Sequence, residues 1–172
     1  SLISKNSENI AIDRHYVDCA QLIKYFDESD KTILDIGSGA GLPGIILDII
    51  KKDYNLEFST HLVEKSPKKV KFLNEANSFL DLDLKIHNCD IKMISKKNFT
   101  TLVSRAFKPM KEFLEIIIES NIDFKKIILM KGEKFLEEIN EAKKYFEINC
   151  ESHKSITNPS SKVFVIKGVS RI

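Results

Sequence analysis

The most constraining stretch of this chain is ILDIGSGAGLPG, residues 33–44. An apolar, strand-like run ends at Gly37, and Gly39, Gly41 and Gly44 follow. Four of the six glycines in the chain stand in these eight residues. Glycine reaches the left-handed backbone region at no steric cost, so a loop built from it can turn tightly and approach a ligand closely. The next segment, LPGIILDIIKK (42–52), predicts a helix. A helix start presents unpaired N–H groups. Beside a glycine turn they make a ready place for a polar ligand. A plain strand–helix turn needs fewer glycines than this.

The spacing fits two fingerprints. Gly39-x-Gly41-x-x-Gly44 matches the dinucleotide pattern GxGxxG, which implies NAD and an oxidoreductase. Gly37-x-Gly39-x-Gly41, with Asp35 two residues earlier, matches the D/E-x-G-x-G-x-G loop of S-adenosylmethionine binders. Two features favour the second. Asp35 stands where a carboxylate can organise the loop and face a ligand ammonium. Pro43 removes one N–H at the helix start, which weakens a grip on pyrophosphate.

Around this loop, strands and helices alternate. KTILDIG (31–37), EFSTHLVE (57–64), LKIHN (84–88), TTLVSR (100–105) and KKIILMK (125–131) read as strands. Helices are expected over 42–52, 66–80, 109–120 and 133–144. Ser66 is placed to cap the second of these, with Pro67 in its first turn, where proline is favoured. An earlier helix is expected over 13–26, with Asp13 as its N-cap and apolar residues at three- and four-residue steps. Residues 1–12 read as a loose lead-in. YFEINCE (145–151) and KVFVIKG (162–168) read as a terminal hairpin around a polar turn, 155–161. This alternation implies βαβ units, a parallel doubly wound sheet and one α/β domain over 1–172.

Ligands in such folds bind beyond the carboxyl ends of the strands. Glu64 ends the second strand, 23 residues after Gly41. That is close to the ~20-residue spacing of an acid that takes ribose hydroxyls. Asp90-Ile91-Lys92 follows the third strand, where a backbone N–H and the Ile91 side chain suit an adenine ring. Arg105 ends the fourth strand, Phe107 stands just beyond as a stacking candidate or a core residue, and Lys131-Gly132 ends the fifth.

Composition narrows the rest. With 27 basic and 25 acidic residues the net charge is +2, so any nucleic-acid contact needs a local patch. Only three basic residues are arginine: Arg14, Arg105 and Arg171. Three cysteines without a CxxC pair and four scattered His give no zinc set and fit a reducing, cytoplasmic compartment. No apolar run nears the ~18 residues of a membrane span, so no membrane and no metal partner is expected. The chain opens on Ser1 and its first Met is Met93, so a preceding N-terminal segment is expected.

RHYVDCAQL (14–22), ILDIGSGAGLPGI (33–45), HLVEKSPKKVKFL (61–73), VSRAF (103–107), LMKG (129–132) and FVIKG (164–168) follow one another in a single order. Together they resemble the RsmG (GidB) family of bacterial 16S rRNA guanine-N7 methyltransferases, over nearly the whole chain from about Asn9. The resemblance implies the class I methyltransferase fold, Rossmann-like, with a mostly parallel seven-stranded sheet and a C-terminal β-hairpin. It implies S-adenosyl-L-methionine as cofactor. The substrate it implies is a guanine in the decoding-centre loop of 16S rRNA, as RNA or small ribosomal subunit, taken by a monomer. Carried onto this sequence, Asp35, Gly37, Gly39, Leu42, Glu64, Ile91, Lys92 and Arg105 would line the cofactor site. Lys68, Lys69 and Lys131 would meet RNA. Two positions depart from the family pattern: Lys92 stands where an acid is common, and Cys19 stands in place of a serine. The family's N-terminal helical segment is expected to be truncated here.

Guanine N7 carries a free lone pair, so its methylation needs alignment more than a general base. Positioning can supply ~7–11 kcal/mol of a barrier. No catalytic dyad is expected, and Arg14, His15 and Asp18 are assigned at most to shaping the site. Arg14 and Asp18 would pair at i, i+4. Lys65, Lys68 and Lys69 share one helix face near Lys71, and Lys125, Lys126, Lys134, Lys162 and Lys167 would extend a basic rim. A methyltransferase of the same fold acting on a small molecule is the rival reading.

Overall fold

The structure is a computed structural model that describes residues 12–172, with side chains described from His15 onward. Seven strands alternate with four helices. They are β1 (Thr32–Ile36), α1 (Gly44–Asp53), β2 (Ser59–Val63), α2 (Pro67–Phe79), β3 (Lys85–His87), β4 (Thr101–Arg105), α3 (Met110–Glu119), β5 (Lys126–Lys131), α4 (Phe135–Ala142), β6 (Phe146–Lys154) and β7 (Lys162–Arg171). The sheet order is β3-β2-β1-β4-β5-β7-β6. The first five strands pair in parallel, and β7 runs antiparallel to both β5 and β6.

The sequence explains this layering. β4 and β5 are buried along almost their whole length, as parallel strands covered on both faces must be. Alternate residues serve opposite faces. Leu34, Leu102, Ile127 and Leu129 pack with Phe113, Ile117 and Phe146 on one face. Ile33, Val103 and Ile128 pack with Cys19, Leu22 and Leu47 on the other. α3 buries Met110, Phe113, Leu114 and Ile117, a stripe at helical spacing.

Three local expectations change. The helix expected over 13–26 winds as a π-helical stretch (Ile12–Val17), one α-helical turn (Asp18–Ala20) and a 3₁₀ stretch (Gln21–Tyr25). Cys19 and Leu22 are both fully buried. Their three-residue spacing matches a 3₁₀ turn, in which i and i+3 eclipse. Asp13 falls inside the π-helical stretch, not before it. The Ser66 hydroxyl caps nothing; its backbone N–H instead donates to Glu64 Oε1 at 2.8 Å. The last strand runs three residues beyond its expected end at 168, and β6 carries a bulge at Asn149/Cys150. The lead-in expected over 1–12 falls, except for Ile12, outside the described residues.

Candidate functional site

The chain passes from β1 to β2 on one side and to β4 on the other, so the strand order reverses at β1/β4. A crevice opens at such a switch point, beyond the carboxyl ends of the strands. Here it is a cavity of about 1000 Å³. Small-molecule sites run ~300–1,000 Å³.

The glycine loop forms one wall. Gly37, Gly39 and Gly41 sit at φ +67°, +59° and +86°. The amides of Gly37 and Ser38 donate to Val63 O, which anchors the loop to the end of β2. A Cβ on Gly39 would meet nothing nearer than Gly37 O at 3.7 Å, so this backbone is bare toward open space. Gly37 differs: the Phe107 ring lies against it, and a Cβ there would come within 2.1 Å of Phe107 Cδ2. Phe107 thus lines the cavity and also packs on the core beneath.

Asp35 organises the loop as expected, but it does not face the cavity. It is fully buried, and its Oδ2 accepts from Gly44 N at 2.9 Å. Burial pushes its carboxyl up to about 7. Pro43 has no N–H, and Asp35 takes the amide of Gly44, so the start of α1 holds little for a pyrophosphate. That removes the physical basis of the dinucleotide reading.

Glu64 is buried at the end of β2 and lines the cavity. Its Oε2 accepts from Gly39 N at 3.0 Å and its Oε1 from Ser66 N at 2.8 Å. Each carboxylate oxygen keeps a lone pair for a ligand hydroxyl. Lys69 approaches Oε2 at 3.8 Å. Ile91 is buried in the wall after β3, and Leu42 lines the wall opened by the glycine loop. Lys92 reaches the rim, but its ammonium pairs with Glu119 at 2.7 Å and not with anything in the cavity. Asp90 Oδ1 accepts from Lys92 N and caps the 3₁₀ turn Ile91–Met93.

Arg105, at the end of β4, lines this cavity and a second one of about 500 Å³. Its Nη2 hydrogen bonds to His15 Nδ1. A guanidinium only donates, so the His15 ring proton resides on Nε2. His15 lines both cavities too. The Arg14 side chain, and with it the expected Arg14–Asp18 pair, lies outside the described residues. Asp18 instead holds the turn after β6, accepting from Ser155 Oγ at 2.5 Å and Thr157 Oγ1 at 3.0 Å. Beside it, burial pushes the Cys19 thiol up to about 12, which keeps it a protonated packing group.

The expected basic rim is only partly there. Lys65, Lys68 and Lys69 are exposed, as a face for RNA must be. Lys131 is not: it is buried, pairs with Glu138 at 2.9 Å and donates to Lys108 O. Lys126 is tied to Asp30 at 2.6 Å. Both ammonium groups are largely withdrawn from water, so each takes an acid. Among the described residues, no group of three His, Cys, Asp or Glu could hold a metal ion. No helix among the described residues is long and apolar enough to cross a membrane.

The family described as rRNA small subunit methyltransferase G, GidB, matches residues 1–165. The chain belongs to this family. The Ribosomal RNA small subunit methyltransferase G of Pelagibacter ubique is 32% identical over 99% of this chain and 81% of its own length. Its counterpart from Rickettsia bellii is 34% identical over 100% and 86%. Among solved structures, a SAM dependent methyltransferase from Aquifex aeolicus superimposes with a TM-score of 0.65 at 13% identity, covering 95% of this chain and 96% of that one. M. jannaschii TYW2 in complex with AdoMet does so at 0.60 and 16%, covering 91% and 76%. The GidB fold is therefore that of these methyltransferases.

Three features of this GidB site escape a reading of the sequence. Ala106 sits at φ +51°, in the left-handed region, directly after Arg105. Nothing in the string SRAF signals that strain. Glu138, on α4, reaches 28 residues back to the amide of Met110 at 2.8 Å and also neutralises Lys131. Ser155 meets Asp18 across 137 positions of sequence. The polar turn 155–161 was its only available signal.

Proposed function

We propose that the chain is an S-adenosylmethionine-dependent methyltransferase that modifies N7 of a guanine in the decoding-centre loop of 16S rRNA. The observation that carries this reading is the switch-point cavity, with bare glycine backbone at one wall and the Glu64 carboxylate at its edge. The residues fit the cofactor. Glu64 offers lone pairs to ribose hydroxyls, Ile91 offers an apolar surface to adenine, Gly39 leaves room for the methionine end, and Gly37 makes the turn beside it under the Phe107 ring. Leu42 and Arg105 complete the enclosure.

When bound, the cofactor supplies a methyl on a sulfonium, so the N7 lone pair takes it as the carbon–sulfur bond breaks, and no proton moves. The chain's work is then alignment. Arg105 and His15 stand between the two cavities, where a base brought in from RNA would meet the methyl. Lys65, Lys68 and Lys69 provide exposed cations for phosphates, whose contacts weaken as salt rises. The acting unit is read as a monomer, and the chain as one domain over 1–172. Three free thiols, Cys19, Cys89 and Cys150, fit the reducing cytoplasm where ribosomal subunits reside.

The test is methyl transfer from labelled S-adenosylmethionine to small-subunit particles lacking native methylation, with Arg105→Ala and Gly37→Ala alongside. Label at one guanine N7, lost in both variants, supports the reading. Tight cofactor binding without label on RNA moves the weight to a different acceptor.

A further inference from the structure

The second cavity, about 500 Å³, shares His15, Arg105 and Ala106 with the cofactor-sized one. Its volume falls in the range of a small-molecule site. The two therefore meet at Arg105, as a donor chamber and an acceptor chamber must.

Its wall contains three carboxylates: Glu133 is exposed at the surface, and the other two differ in state. Glu138 is neutralised: its Oε2 takes both the Lys131 ammonium and the Met110 amide. Asp18 forms no salt bridge among the described residues. Its Oδ1 gathers three donors: Gln21 Nε2, Ser155 Oγ and Thr157 Oγ1. Its Oδ2 receives none from the described residues. Three bonds on one oxygen fix the orientation of the carboxylate and leave the other oxygen an uncommitted acceptor. Asp18 is half-buried, so that oxygen is open to water or to a ligand donor.

We propose that this cavity receives the target purine and that Asp18 Oδ2 accepts from the N–H donors of its Watson–Crick edge, which makes Asp18 the residue that tells guanine from adenine. The inference rests on the reading given under Proposed function. In guanine, N7 lies on the opposite side of the base from N1–H and the 2-amino group. A guanine with N7 turned toward Arg105 and the methyl therefore presents its donor edge to the far wall. Adenine presents an N1 lone pair there and has no 2-amino group. A site built to bond a substrate donor rejects the analogue lacking it by orders of magnitude.

The contact also changes during reaction. N7 gains a bond to carbon, so the base acquires the positive charge that the sulfur loses. N1–H becomes more acidic, and its hydrogen bond to a carboxylate strengthens. An interaction that grows toward the transition state raises kcat more than it lowers KM.

The experiment compares wild type with Asp18→Asn on two kinds of small-subunit particle, one with the natural target guanine and one with adenine in its place. The amide keeps an oxygen for Ser155 and Thr157 but puts a donor where the guanine edge also donates. Expected results are an S-adenosylmethionine Kd within about twofold, a guanine kcat reduced by about tenfold or more, and a guanine-to-adenine rate ratio reduced by at least about tenfold. A purely structural role would slow both targets alike, so an unchanged ratio overturns the proposal. Asp18→Glu, which keeps the charge but moves the acceptor by a methylene, should lower the same ratio; if it too leaves the ratio unchanged, the proposal is overturned even should Asp18→Asn not fold. Absence of label from wild type on guanine, with cofactor bound, sinks the methyltransferase assignment itself and this inference with it.

Discussion

Glu64 holds Gly39: the carboxylate at the end of β2 accepts the loop amide at 3.0 Å while its other oxygen accepts from Ser66 at 2.8 Å. One side chain thus fixes the tip of the glycine loop and the start of α2, and keeps lone pairs for a ribose. Glu64→Gln retains the shape but replaces one acceptor oxygen with a donor that faces another N–H. The expected result is a stability loss of about 1–3 kcal/mol, read by denaturant unfolding. Cofactor affinity should fall by about tenfold or more, read by calorimetry. An unchanged affinity would show that Glu64 serves the fold alone.

The loop glycines separate by what surrounds them. Gly37→Ala must displace the Phe107 ring, and Gly44→Ala must push against both Asp35 Oδ2 and Leu62 at 2.9 Å. Each should cost about 1–3 kcal/mol as overpacking. Gly39→Ala meets open space. Its cost is only the left-handed backbone, about 1–2 kcal/mol, yet its methyl would project toward the cavity. The expected pattern is the smallest stability loss at Gly39 combined with a clear loss of cofactor affinity. Thermal melts with and without S-adenosylmethionine measure both.

Ala106 pays for its φ of +51° with strain that glycine would not have. Ala106→Gly should raise stability by up to about 1 kcal/mol, after the extra entropy of the unfolded glycine is counted. It should also loosen Arg105 next to it. A raised melting temperature with slower methyl transfer is the expected pair of results. A lowered melting temperature would show that the alanine methyl packs better than its backbone suffers.

Two groups should give pH dependences of opposite sign. Asp35 is pushed up to about 7 by burial. The folded state thus binds a proton that the unfolded state has released, and stability is lost as pH rises from about 4 to about 7, by an amount on the order of a few kcal/mol. His61 stacks on His87, with 3.0 Å between Nδ1 and Nε2. Desolvation, then the neighbouring His87, lowers His61 to about 4, and desolvation lowers His87. Here the unfolded state binds the extra proton, so stability is lost as pH falls below about 6.5. The pair is half-exposed, so screening holds its effect to about 1 kcal/mol. Asp35→Asn should gain on wild type between pH 5 and pH 8. His61→Gln should lose its disadvantage over the same range taken downward. Unfolding free energies at both pH values decide each sign.

The fold was legible because its signals are periodic and local. Apolar strands, Pro67 and Pro109 at helix starts, and the glycine cluster each state their meaning within a dozen residues. The cofactor loop was legible for the same reason. What could not be read is what depends on how the elements pack against one another. Lys131 reads as a rim cation, because the string does not show that α4 brings Glu138 back onto its ammonium. Lys92 lines the cavity as expected, but the sequence does not reveal that its ammonium turns to Glu119, 27 positions on. The string does not show that Asp35 turns away from the ligand space, because its distance from the surface is a property of the packed sheet. The mixed winding of residues 12–25 leaves no mark in the local pattern, which reads the same as that of a regular helix.

The clasp between Asp18 and Ser155 joins positions 137 residues apart. Contacts within each strand–helix–strand unit close short loops and form early, whereas a contact of this span waits for the sheet between its partners. The clasp that holds the glycine loop, Gly39 N to Glu64 Oε2, spans only 25 residues. A refolding chain should therefore regain a hold on its small ligand before the wall that contains Asp18 and Ser155 exists. For a time it would be charged with a methyl and unable to choose where to put it.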